Sequence, residues 1–224
     1  MKAKQYRITL EGLSPLLMHK DDLNFSEKVK GWRDAPENRG QSSPGDDRTP
    51  AWTWIGYLYH DTKALGINSD CIMTCLREGG AKVPTGKKSE TYKKQTQSGL
   101  VVDQEQFTLL LDGKEVPVDW INALIENNDF AAHMAAAEQH KFELFVKRAK
   151  IGQAKHIRVR PLFRNWMATG TITVFDEEIS GLTFPVLETI LNQAGAQCGL
   201  CDWRPSSKTP GSFGKFTPTI TPIK

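Results

Sequence analysis

The sequence predicts an α+β fold, ferredoxin-like (split βαβ, RRM-like), with an antiparallel sheet and large insertions. Three observations predict it. Stripped of polar insertions, the chain reads strand, helix, strand, strand, helix, strand. Both helices carry a single apolar stripe, so each has one face to bury. In 166–175, Trp166, Ala168, Gly170, Ile172 and Val174 alternate with Thr169, Thr171 and Thr173, which builds a sheet with an apolar face and a polar face.

The elements follow in order. Tyr6, Ile8 and Leu10 alternate with Arg7, Thr9 and Glu11, a half-buried strand closed by Gly12 and Pro15. The polar stretch 20–50, rich in Pro and Gly, reads as a long irregular insertion with a short helix near 26–32. AWTWIGYLYH, 51–60, is a strand or a buried crossing segment. Ser69 caps a helix carrying Ile72, Cys75 and Leu76, which Gly79-Gly80 stops. A second insertion runs over about 82–140. It starts with a basic stretch expected to be mobile (Lys82, Lys87, Lys88, Lys93, Lys94), and it contains a strand at 106–111, a turn at Asp112-Gly113 and helices over 120–126 and 131–140. Extended pieces follow at 142–151, 154–163 and 166–175. Thr183 or Phe184 opens the second helix, with Pro185 in its first turn and a stripe of Phe184, Leu187, Ile190, Leu191 and Ala194. A glycine-rich loop leads to a last edge strand, where Pro218 and Pro222 are tolerated.

Bulk composition narrows the function classes. A chain of 224 residues with 39% hydrophobic and 25% charged content fits one large domain, here 1–224, that buries its own core. No apolar run approaches the ~18 residues of a membrane span, and the N-terminus has no apolar signal core, so a cytoplasmic protein without a membrane partner is expected. Phosphate-binding P-loop, zinc-protease, serine-hydrolase and dinucleotide motifs are all missing, and no cofactor is expected. Cys71 and Cys75 with Cys198 and Cys201 are a candidate four-thiolate metal set; the alternative is four reduced thiols packed as small apolar groups. His133 and His140 read as surface histidines, and Asp21-Asp22 and Asp46-Asp47 as solvated acids.

The net charge is only +3, but its distribution is uneven. Residues 144–175 contain no Asp or Glu, yet hold Lys147, Arg148, Lys150, Lys155, Arg158, Arg160 and Arg164. Such a stripe raises the local potential and suits a polyanion backbone. The alternative is a solvated strand pair whose arginines meet acids elsewhere, such as Asp176, Glu177 and Glu178. The loop GLCDWRPSSKTPGSFGKF, 199–216, adds a second pattern. Gly199, Gly211 and Gly214 permit close backbone approach and N–H groups that cradle phosphate. Trp203 and Phe213 offer faces for stacking bases, and Arg204 and Lys208 supply charge.

The pattern G-x-x-D-W-R-P followed by G-x-F-G-x-F resembles the glycine-rich loop of the RAMP superfamily, the ferredoxin-like proteins of CRISPR ribonucleoproteins. S-P-L-L-M-H-K, 14–20, after the opening strand is similar to a phage-encoded RAMP-like group. The resemblance implies a single RAMP-like domain that binds single-stranded RNA or DNA without catalysis. It also implies assembly side by side along the strand, as a homo-oligomer or larger nucleoprotein. It gives the loop role to Gly199, Gly211 and Gly214, and backbone contacts to Arg204, Lys208 and Lys215. Cys201 stands where that pattern prefers glycine. Some RAMP relatives cleave RNA without metal through a histidine near the first helix. His19 is the matching catalytic candidate, with Tyr57, Tyr59 or Lys20 to assist. A third reading is a phage protein that binds a host defence complex, with the insertions meeting the partner.

Overall fold

The computed structural model describes residues 2–42, 45–151 and 154–223. In chain order its elements are β1 (Ala3–Gly12), β2 (Leu16–Leu17), α1 (Leu23–Asp34), β3 (Gly66–Asn68), α2 (Ser69–Gly80), α3 (Lys93–Ser98), β4 (Leu100–Val102), β5 (Gln106–Leu111) and β6 (Lys114–Glu115), followed by α4 (Ile121–Leu124), α5 (Phe130–Gln139), β7 (Glu143–Ile151), β8 (Ala154–Phe163), β9 (Trp166–Phe175), α6 (Glu177–Ser180), α7 (Phe184–Gln193) and β10 (Phe216–Pro222). The fold is mixed α+β with mostly antiparallel sheet. The chain divides into two compact units: Met1–Leu16, His60–Val116 and Arg164–Lys224 form the first, Leu17–Tyr59 and Pro117–Phe163 the second. Residues 82–116 thus stay with the first unit, because β4 pairs with β9 and β5 pairs with both β3 and β9. The end of the stretch expected to be mobile forms α3, where Thr96 is buried and its hydroxyl donates to the Tyr92 carbonyl.

The first unit is built on the strand order β10-β1-β9-β5-β3, all neighbours antiparallel. Alternation along β1 buries Tyr6, Ile8 and Leu10, and register with β9 sets Tyr6 opposite Ile172 and Leu10 opposite Ala168. α2 contributes Ile72, Cys75 and Leu76, and α7 contributes Leu187, Ile190 and Leu191, all buried. Ile8, Leu10, Phe107, Ile172, Ile72 and Leu191 surround a residual space of only about 10 Å3, so both helices pack closely on that face. Burial of each such side chain contributes about 1.5–3 kcal/mol, which makes this face the first unit's main source of stability. The Asp112-Gly113 turn is left-handed at both residues (φ 50° and 74°), as the β5–β6 hairpin requires.

The second unit carries the smaller sheet, in the order β2-β8-β7. Residues 51–58 resolve the ambiguity of the aromatic stretch: they form a buried crossing segment with a 3-10 turn at Thr53–Tyr57. Trp54 anchors an aromatic cluster with Phe142, which in turn meets Phe163 at 5.1 Å. His133 belongs to this core and not to the surface, with no measurable exposure. Trp54 Nε1–H donates to His133 Nδ1 (3.1 Å), so the ring's other nitrogen, Nε2, carries the proton and donates to the Asn127 carbonyl (2.7 Å). Burial pushes this imidazole's pKa down, and the bond to Asn127 only partly offsets that. His140 stacks on Trp120 at 4.3 Å.

Candidate nucleic-acid interface

The cations of the acid-free stretch do not form one row. β7 and β8 pair as an antiparallel ribbon, with Lys147 opposite Arg158 and Lys150 opposite Lys155. Strand alternation then divides them between two faces: Lys147, Arg158 and Arg160 lie on one, Arg148, Lys150 and Lys155 on the other. Arg164, at the strand's end, falls in the first unit.

On the first of these faces the arginines meet an acid of their own. Gly45–Asp47 runs along β8, with Asp47 N–H donating to the Ile157 carbonyl and Ile157 N–H to the Gly45 carbonyl, both at 2.9 Å. This sets the Asp47 carboxylate, only 2% exposed, against Arg158 Nη1 and Arg160 Nη1 at 3.0 Å each. Val159 N–H and the Tyr57 hydroxyl also donate to it. Asp47 is therefore not a solvated acid, and it is the acid that Arg158 and Arg160 meet, in place of Asp176, Glu177 and Glu178. Arg158 and Arg160 are structural as much as electrostatic, and replacing both strands a buried carboxylate instead of leaving the fold untouched.

Arg160 extends this cluster toward His19. Its guanidinium lies 4.1 Å from the Tyr57 ring centroid, and its Nη2 is 3.3 Å from His19 Nε2. A guanidinium only donates, so Nε2 is the unprotonated nitrogen of that ring. His19 meets the Tyr57 ring edge-on at 5.0 Å, and the Tyr59 hydroxyl donates to the His19 carbonyl. The histidine and both tyrosines singled out in the sequence thus converge, and the imidazole remains exposed. Lys20 pairs instead with Asp22 at 2.9 Å. Asp22 also caps α1 by accepting from Phe25 N–H; that bond, with the Lys20 ammonium, holds its carboxyl below the usual range.

The other ribbon face differs. Arg148, Lys150 and Lys155 are exposed, and among the described residues no acid forms an ion pair with them. Like charges directly opposite on a ribbon repel, so this trio stands as uncompensated positive potential.

The glycine-rich loop of the first unit is closed rather than cradle-like. Gly199 and Gly214 take left-handed φ values of 73° and 71°, and a Cβ on Gly214 would stand 2.1 Å from the Leu200 carbonyl oxygen. The N–H groups of Gly199, Gly211 and Gly214, expected to hold phosphate, donate inside the protein to the carbonyls of Ala194, Arg204 and Pro15. Trp203 and Phe213 stack on each other at 5.8 Å. Arg204 binds Glu78 on α2 at 3.2 Å, and Ser206 donates to the same carboxylate. Cys201 and Trp203 themselves adopt positive φ (62° and 52°), so the residue in the place of the expected glycine still makes the glycine-like turn. Lys208 is exposed and Lys215 half-buried.

The cysteines lie near this loop as thiols. Cys75 donates to the Ala194 carbonyl, and Cys71 and Cys201 are hydrogen-bonded to each other. Burial pushes the thiols of Cys75 and Cys198 up. Among the described residues no group of three or more His, Cys, Asp or Glu side chains is arranged to hold a metal. No described helix is long and apolar enough to cross a membrane. A scan against protein-family models and a search of curated proteins found no match to the chain.

Sequence reasoning missed the burial of Asp47 and of His133. A polar neighbour in sequence (Asp46) disguised the first, and an isolated histidine on an alanine-rich helix gave no sign of the Trp54 partner.

Proposed function

We propose that the chain is a non-catalytic, single-stranded nucleic-acid-binding protein of RAMP type, acting in the cytoplasm, on RNA or single-stranded DNA. The observation that carries this reading is the trio Arg148, Lys150 and Lys155, which share one ribbon face with no ion-pairing acid among the described residues. A polyanion relieves their mutual repulsion and releases its own counterions, so affinity falls steeply with salt. Arg160 and Arg204 act by holding the surrounding structure, and Arg158 shares the Asp47 carboxylate with Arg160. The strand order supports the fold half of the reading. Taking β1, α2, β5, β9, α7 and β10 as the six elements, the sheet order is fourth, first, third, second, that of a ferredoxin-like split βαβ. Side-by-side assembly of copies along a strand, in a phage-encoded system, belongs to the same reading. Filter binding of labelled single strands at rising ionic strength tests it: retention at low salt that fades with salt supports it. No retention at low salt, with a protein partner co-purifying instead, overturns it.

The convergence of His19, Tyr57 and Arg160 favours one second reading, a metal-independent endoribonuclease. The unprotonated His19 Nε2 would exchange its Arg160 contact for the 2′-hydroxyl and take its proton. The 2′-oxygen then forms a bond to phosphorus as the bond to the 5′-oxygen breaks, and the leaving oxygen takes a proton from an acid such as Lys20. Incubation of RNA in EDTA tests this: 2′,3′-cyclic phosphate ends that vanish in His19→Ala support it, and intact RNA contradicts it.

A further inference from the structure

A cavity of about 320 Å3 opens within the second unit, distinct from the exposed ribbon face. α1 lines it with residues 25, 26, 29, 30, 33 and 34, spaced by three and four, hence one helical face, and its cap Asp22 adds to the same wall. Only Val29 of these is buried, so α1 turns a polar wall inward where a packing helix would turn an apolar stripe. Tyr57, Asp47 and Arg158 stand in the opposite wall, and His19 contributes to the lining.

Its charges do not cancel at the inner wall. Lys20 and Asp22 neutralise each other. Asp47 is shared by Arg158, which lines the cavity, and by Arg160, which does not line it but touches the lining residues His19 and Tyr57, so one positive charge is in excess at that wall. Arg33 spends its donors on the carbonyls of Asp46 and Thr49, which compensate no charge. Lys30 is exposed and has no ion pair among the described residues. The lining carboxylates left over, Asp21 and Asp34, are exposed like Lys30, so solvent screens all three alike and the excess at the inner wall comes from the guanidiniums. Phe25 and Tyr57 add ring surface. The volume sits at the small end of the range for organic ligands, about 300–1,000 Å3.

We infer that this cavity takes one phosphorylated nucleoside, with its phosphate toward Arg158 and Lys30 and its sugar toward His19. The inference rests on the nucleic-acid reading for the class of ligand, but not on the ribbon. The nucleotide is either free or one unit of a bound strand, since both present the same sugar, base and phosphate.

Calorimetric titration of the full chain with adenosine and uridine 3′-monophosphates, inorganic phosphate and a six-nucleotide RNA tests it. Saturable nucleotide binding is expected, weakened about tenfold or more by Lys30→Glu. Ser26→Trp, which fills the cavity from an exposed position, should abolish it with the thermal midpoint unchanged. Displacement of the mononucleotide by the hexamer identifies a strand subsite; no displacement identifies a free nucleotide. Wild type showing no saturation up to about 1 mM, equal affinity for inorganic phosphate, or undiminished binding by Ser26→Trp overturns the inference. Strand retention without mononucleotide binding sinks the cavity alone; loss of both sinks the nucleic-acid reading with it.

Discussion

One carboxylate organises much of the second unit. Asp47 has four donors around it, two of them guanidiniums, and almost no solvent. Removing one partner of a buried ion pair leaves the other charge unsatisfied, at about 3–5 kcal/mol. Asp47→Ala is therefore expected to lower unfolding free energy by about that amount in denaturant titration, and to free Arg160 from its place over Tyr57. A second residue-scale prediction concerns His133. Because burial depresses its folded pKa, the neutral ring's contribution is complete above the ordinary value of about 6.5 and is lost as pH falls below it. Trp54→Phe removes the donor to Nδ1 and should cost about 1–3 kcal/mol at pH 8. The vacated nitrogen then accepts a proton more readily, so part of that variant's deficit should shrink between pH 8 and pH 5; an unchanged deficit contradicts the assigned tautomer.

At the scale of elements, the regular pieces were legible and their partners were not. β1, β5, β9, α2 and α7 follow from period-two or helical spacing of apolar residues, which is a local property. The cap of α1 by Asp22 is similarly local, and Asp22→Ala should cost about 0.5–2 kcal/mol at neutral pH. That cost should diminish as pH falls below about 4, because the carboxylate's lowered pKa means its stabilisation is present above the unfolded value and lost below it. The glycine-rich loop was read correctly as turn-forming but wrongly as an open cradle. Glycine marks where backbone comes close without saying to what, and here the close neighbours are Leu200 and Trp203. The single basic stripe also split in two, since alternate residues of a ribbon face opposite ways. The pairs that decided its chemistry, Asp47 with Arg158 and Trp54 with His133, are 111 and 79 residues apart, beyond any local pattern.

At the scale of the molecule, two units built from interleaved segments share one chain with a net charge of only +3. Bulk charge hides a local excess: Glu78 pairs with Arg204 and Asp47 with both Arg158 and Arg160, while Arg148, Lys150 and Lys155 have no ion-pairing acid among the described residues. If these three meet a phosphate backbone, each contact contributes about 0.7 to the salt dependence of single-strand binding. The most direct measurement is thus the slope of log affinity against log salt for a labelled single strand, wild type beside Arg148→Ala/Lys150→Ala/Lys155→Ala. The expected result is a steep wild-type slope that becomes shallower by about 2 in the triple variant, with unfolding unchanged. Equal slopes and equal affinities in the two proteins would contradict the claim that this ribbon face holds the strand.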